Sequence, residues 1–191
     1  MTRRALILVC LGLAAVAGLS QLPKLGSAVR SFTLPLNHAS IIREQAADKN
    51  LSPALVAAVI YAETKFEARR SSAGAEGLMQ LLPSTALFIA RKSGGTSFVP
   101  NDLSDPEVNI RYGTWYLRYL MERYSRNEVL AVAAYNAGMG NVDKWLDQAR
   151  LEGHPLRVSD IPFPETKAYV HRVLDAKSEY STKYGAELGL R

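Results

Sequence analysis

The chain has 191 residues, room for one globular domain and a short additional segment. Hydrophobic residues at 48% and charged residues at 21% exclude wholesale disorder, and a single long apolar run excludes a multi-span membrane protein. The 23 Lys and Arg against 18 Asp and Glu leave a formal charge of +5, which suits an acidic polymer or surface but lacks the dense cationic tract of a nucleic-acid arm, so no nucleic-acid partner is expected.

Thr2-Arg3-Arg4 precedes an apolar run from Ala5 to Leu19. A short cationic start, an apolar stretch and the A-x-A-like Ala15-Val16-Ala17 read as an export signal. Left uncleaved, the run is slightly short of the roughly 20 residues that span a bilayer, yet it suits a membrane anchor. Cys10, the one cysteine, lies inside this run and rules out both an intrachain disulfide and a cysteine zinc site. Residues 1–20 are therefore read as signal peptide or anchor. Residues 21–37, with Pro23, Gly26 and Pro35, are read as a linker, and 38–191 as the folded domain.

From His38 onward the pattern is helical, with no convincing strand. Ile41, Ile42, Gln45 and Ala46 mark a first amphipathic helix ending near Lys49. Ser52-Pro53 opens a second, with Ser52 as cap and Pro53 at the first position, where no amide donor is needed. Leu55, Val56, Val59 and Ile60 give it one apolar face, and Glu63 continues that face. Arg69 to Glu76 reads as a loop. Pro83 opens a helix that Gly94-Gly95 stops, and Ser104-Asp105-Pro106-Glu107 starts another that runs to about Tyr124. Its stripe of Tyr112, Trp115, Tyr116 and Tyr119 is read as core. Asn127 caps a helix to Ala137, and Gly138 and Gly140 bracket a turn before a helix over 142–149. A proline-rich loop over 155–164 precedes a last helix from Glu165 to Tyr184. The fold class is all-α, a compact multi-helix domain.

No H-E-x-x-H, P-loop, dinucleotide glycine pattern or G-x-S-x-G elbow is present, and His38, His154 and His171 are far apart. Neither a metal nor another cofactor is expected. That leaves carboxylates. A glutamate on an apolar helical face loses water, which favours its neutral form, and the negative end of its helix pushes the same way. An acid still protonated near neutral pH is suited to protonating a glycosidic oxygen. Spacing alone equally allows a solvated glutamate at a frayed helix end.

The chain resembles the bacterial lytic transglycosylases of the soluble (SLT) type, whose fold is related to goose-type lysozyme. The resemblance rests on four motifs in order. They are Glu63-Thr64-Lys65-Phe66 with Gly74-Ala75-Glu76-Gly77-Leu78-Met79-Gln80, then Asp105-Pro106-Glu107-Val108-Asn109-Ile110 with Gly113, then Ala134-Tyr135-Asn136-Ala137-Gly138, and Ile161-Pro162-Phe163 with Glu165-Thr166 and Tyr169-Val170. The likeness implies a lysozyme-like domain with a glycan-binding cleft and little or no β structure. It implies peptidoglycan glycan strands as partner, with the bond between N-acetylmuramic acid and N-acetylglucosamine cut and a 1,6-anhydro end formed.

On this resemblance Glu63 matches the family's single acid and base, and Gln80 a sugar-binding glutamine. Tyr135 matches a tyrosine whose hydroxyl reaches that acid or the substrate, and Asn136 belongs to the same motif, for sugar contact or for capping a turn. Glu165 matches a cleft glutamate, Ser71 a serine near the acid, and Met79 a neighbour that packs or contacts. Tyr169 is read as packing the last helix on the core. Thr64 stands where the family has serine, Ala68 where it has proline, and Ser72 is the alternative to Ser71 in a shortened loop. Two other readings stay open: a hydrolytic muramidase, which needs a second carboxylate to activate water, and a non-catalytic glycan-binding module.

Overall fold

The computed structural model describes residues 34–95 and 97–190, so the apolar N-terminal run and most of the expected linker lie outside the described residues. The chain from residue 35 onward builds α1 (Ala39–Asp48), α2 (Pro53–Thr64), β1 (Arg69–Arg70), β2 (Glu76–Gly77), α3 (Pro83–Ser93), α4 (Pro106–Arg123), α5 (Glu128–Ala137), α6 (Met139–Leu151) and α7 (Pro164–Lys183). Short 3-10 turns at Pro100–Ser104 and Val158–Asp160 lead into α4 and α7. The domain is all-α, as expected from the apolar spacing. None of the described helices is long and apolar enough to cross a membrane.

Helix starts follow local chemistry. Ser52 caps α2 through its hydroxyl, with Pro53 at the first turn. Asp105 caps α4, its Oδ1 accepting from the Glu107 and Val108 amides at 2.8 and 3.0 Å; the carboxylate, one residue nearer the helix than Ser104, takes both orphan donors. Asn127 caps α5. Gly138, at φ 83°, separates α5 from α6 by itself, and Gly140 lies within α6 rather than in a turn.

The centre of the domain is α2, which packs along α7 more than any other two elements pack together. Sequence spacing suggested one apolar face, but Ala54 to Ile60 are all buried, with no more than 1% exposure. Ala57 and Ala58 account for the difference. Their small side chains let neighbours close over the sides that an amphipathic helix leaves to solvent. Burying each larger aliphatic side chain here contributes about 1.5–3 kcal/mol. The tyrosine stripe on α4 divides. Tyr112 and Tyr116 are buried, while Trp115 and Tyr119 are half-buried and stack on each other at 5.7 Å.

The stretch read as a loop after α2 is a small hairpin, with Arg69 paired to Gly77 and Arg70 to Glu76. Two-residue strands leave no alternation of apolar and polar residues to read in the sequence. What fixes this hairpin is Asn109 of α4, fully buried. Its Oδ1 accepts from the Met79 amide at 2.8 Å, and its Nδ2 donates to the Glu76 and Leu103 carbonyls at 2.9 and 3.0 Å. Two glycines make that approach possible. A Cβ on Gly77, at φ +78°, would stand 2.0 Å from the Asn109 amide nitrogen, and one on Gly113 would stand 2.3 Å from the Met79 sulfur. Met79 is accordingly a packing residue, with no exposed surface.

Asn109→Ala leaves a buried amide and two carbonyls without partners, so it is expected to destabilise the domain by at least about 2 kcal/mol. Chemical denaturation measures this, and a loss within error of zero would contradict the anchoring role.

Candidate functional site

Glu63 is the penultimate residue of α2. The helix ends at Lys65 in the left-handed conformation, φ 54°, and Phe66 follows at φ 67°. This reversal turns the chain back into the hairpin. Thr64 is buried, and its hydroxyl donates to the Leu78 carbonyl at 2.8 Å, with the Ile60 carbonyl at 3.2 Å. The hydroxyl at position 64 therefore ties the helix end to the segment carrying Met79 and Gln80. The threonine methyl is accommodated in the core. Arg69 adds a second tie by donating to the Glu63 backbone carbonyl at 2.9 Å.

The Glu63 side chain is half-buried, and its Oε1 accepts from the Tyr169 hydroxyl at 2.7 Å. Burial pushes its pKa from the ordinary 4.5 up to about 7, outweighing the Tyr169 hydrogen bond and the positive charges of Arg172 and Arg69, which pull the other way. The Arg172 guanidinium lies 5.5 Å from the centre of the Tyr169 ring. Glu63 is thus a carboxyl that keeps its proton near neutrality, with one oxygen fixed by a phenol and the other left to the cavity.

That cavity has a volume of about 460 Å³, and its lining includes Glu63, Ser71, Gln80, Tyr135, Asn136 and Glu165. These six candidates therefore line one space, although they come from α2, the hairpin loop, the segment after β2, α5 and α7. A space of this size accommodates a small-molecule or sugar unit. Both amide hydrogens of Gln80 are spent on the carbonyls of Arg69 and Gly77, each at 2.8 Å. Its side-chain oxygen remains to accept from a ligand hydroxyl. Ser71 closes the hairpin loop. Its Oγ accepts from the Ala75 amide at 3.0 Å, and its own proton is unspent among the described residues. Ser72 is exposed and does not line the cavity. Asn136 Oδ1 accepts from the Thr166 hydroxyl at 2.7 Å, joining the end of α5 to the first turn of α7. Its amide hydrogens are left for the cavity. Glu165 is exposed in the first turn of α7, where the helix N-terminus favours a carboxylate.

The hydrogen bond to the acid comes from the tyrosine expected only to pack, while Tyr135 lines the cavity. The Tyr135 hydroxyl donates to the Met79 carbonyl at 2.9 Å rather than to Glu63. Tyr169, read as a packing residue, is 2% exposed and also supplies the hydrogen bond to the acid. One signal for it was present in the sequence. Glu165 and Tyr169 are four apart and share a face of α7, and a tyrosine beside Val170 and Val173 brings a polar tip into an apolar interface that needs a partner. Among the described residues no cluster of three or more His, Cys, Asp or Glu is arranged to hold a metal ion.

The Transglycosylase SLT domain family matches residues 40–154. The chain is 33% identical over 150 residues to the soluble lytic murein transglycosylase of Escherichia coli K12, covering 76% of this chain and 23% of that protein. It superposes on the crystal structure of the 70 kDa soluble lytic transglycosylase of Escherichia coli with a TM-score of 0.74 and 31% identity, over 82% of this chain and 26% of that one. An inactive glutamate-to-glutamine mutant of the lytic transglycosylase Slt from Pseudomonas aeruginosa gives a TM-score of 0.72 at 35% identity, over 80% of this chain and 25% of that one. The chain thus spans about a quarter of the length of these relatives. Sequence and fold agree over the region that holds the cavity: the chain belongs to the transglycosylase SLT domain family, with the lysozyme-like fold of its solved relatives.

Proposed function

We propose that this domain is a lytic murein transglycosylase that cuts the bond between N-acetylmuramic acid and N-acetylglucosamine in peptidoglycan. The observation that carries this is the placing of Glu63, whose carboxyl faces a cavity of sugar-sized volume, meets the Tyr169 hydroxyl, and has its pKa pushed by burial up to about 7. The protonated acid gives its proton to the glycosidic oxygen as the bond from C1 breaks. The resulting carboxylate takes the proton of the muramic C6 hydroxyl, whose oxygen closes on C1. The products are a free 4-hydroxyl and a 1,6-anhydro ring, and no water is consumed. An intramolecular nucleophile is already near its target, so a second carboxylate to activate water is not required. Tyr169 serves both steps, because its hydrogen bond stabilises the carboxylate form just enough for the group to cycle. Gln80 accepts from a sugar hydroxyl, and Ser71, Asn136 and Glu165 complete the polar lining. Tyr135 acts indirectly by holding the Met79 carbonyl and thereby the Gln80 loop.

The apolar run after Arg3 and Arg4 supports export, with the domain working in the cell envelope, either released or anchored by residues 1–20. Hydrolysis by the same acid is the second reading. It is favoured by one observation, the presence of Glu165 as another carboxylate on the cavity.

Digestion of purified peptidoglycan separates these readings. The expected products are one water lighter than hydrolytic products by mass, and full-weight products would overturn the anhydro mechanism in favour of hydrolysis. Glu63→Gln is expected to retain its circular dichroism spectrum and lose at least about a hundredfold in rate; a near-wild-type rate would remove Glu63 from the chemistry. The active form carries the proton, so kcat/KM should fall as pH rises through about 7. Tyr169→Phe removes a bond that favours the anion, which should move that fall to higher pH. A pH profile indistinguishable from wild type would show that the phenol does not tune the acid.

A further inference from the structure

Arg69 is bonded to both Glu63 and Gln80. It opens β1, and its side chain is exposed. At one end of the residue, the guanidinium Nη2 donates to the Glu63 carbonyl at 2.9 Å. At the other, the Arg69 carbonyl accepts from Gln80 Nε2 at 2.8 Å. The Glu63 carbonyl belongs to the last turn of α2, where carbonyls run out of intrahelical donors. The amides that follow turn elsewhere, Lys65 to the Tyr61 carbonyl and Glu67 to that of Thr64. Arg69 is therefore the one donor that meets the Glu63 carbonyl among the described residues. A cation at the negative end of a helix is favourable, and a guanidinium offers its donors in a fixed plane.

No other described residue makes this connection. Thr64 ties the end of α2 to the Leu78 carbonyl and does not reach Gln80. Besides Arg69, the groups that face the Glu63 carboxyl are Tyr169 and Arg172 of α7 and Tyr135 of α5, with Glu165 on the same cavity. None of these bonds Gln80, whose amide hydrogens go to Arg69 and Gly77. Arg69 itself is absent from the cavity lining, so it meets no ligand there and acts through the two residues it holds. The order of the chain suits this part. Arg69 lies between α2 and the segment that carries Gln80, and β1 pairs it with Gly77, the other residue that holds the Gln80 amide.

We propose that Arg69 is a positioning residue that holds Glu63 and Gln80 in one frame, so that a sugar hydroxyl bound by the glutamine sets where the glycosidic oxygen stands against the acid. The inference rests on the proposed reaction and adds a residue to it. Arg69→Met keeps an unbranched stem and removes the guanidinium, while its backbone carbonyl still receives Gln80. The expected result in the full-length chain is a kcat about tenfold lower with KM within about twofold, since the sugar still binds and the acid is misplaced. Loss of the positive charge also raises the Glu63 pKa, so the fall of kcat/KM moves to higher pH. NMR titration of the Glu63 carboxyl reads the same move without substrate. Arg69→Lys restores the charge but not the planar fork, so the pH profile should return to that of wild type while kcat recovers only in part. A residue that merely stabilised the fold would lower the unfolding temperature and leave both the titration and the KM-against-kcat split of the folded chain unmoved. A wild-type kcat in Arg69→Met, a loss that falls on KM instead, or an unmoved Glu63 titration would each overturn the proposal. Failure of the enzymatic reading looks different: the wild-type chain would leave peptidoglycan uncut, and the carboxyl titration would still show whether the guanidinium is seated at the end of α2.

Discussion

The whole site depends on a carboxyl group taken out of water at the end of an apolar helix and met there by one phenol. Desolvation raises the proton affinity of Glu63, and the Tyr169 hydroxyl, with Arg172 and Arg69 behind it, restrains the rise. The balance leaves the group near neutrality, where both of its protonation states are within reach. The cost to the fold falls on the charged form. Between pH 4.5 and about 7 the folded chain holds a proton that the unfolded chain has released. The stabilisation this gives is complete below 4.5 and is lost as pH rises through about 7. Burial of α2 on all sides, and its long contact with α7, offsets that cost.

Around this pair, a set of buried hydrogen bonds converts a short irregular segment into a rigid wall. Thr64 holds the Leu78 carbonyl, Asn109 the Met79 amide, and Tyr135 the Met79 carbonyl. Three helices thereby grip consecutive residues just before Gln80, which itself sits at φ 48°. A left-handed residue of this kind persists only where its surroundings over-determine it. The result is a glutamine whose donors are satisfied internally and whose acceptor faces the cavity. Preorganised polar groups of this sort bind a sugar without first paying to be ordered.

The Glu63 cavity gathers its polar groups from elements far apart in the chain. Glu63 comes from the end of α2, Ser71 and Gln80 from either side of β2, Asn136 from α5 and Glu165 from α7. That assembly is complete within a chain that spans about a quarter of the length of the related soluble transglycosylases.

Amino-acid order alone determined most of the helices, because caps and apolar spacing act within one or two turns. Ser52-Pro53, Asp105-Pro106 and Asn127 start their helices through neighbouring amides. Order also determined which residue types were available for chemistry, and Glu63 stood out because it broke an apolar face. The small hairpin escaped notice because two-residue strands have no period, and the full burial of α2 because it depends on what packs against two alanines. Tertiary structure decided the partners. Tyr135 and Tyr169 are both plausible neighbours of the acid, and only the docking of α7 along α2 brings the second to it, across 106 positions of chain. Local rules reach three or four residues along a helix, whereas desolvation and the choice of hydrogen-bond donor are set by whichever distant surfaces the fold presses together.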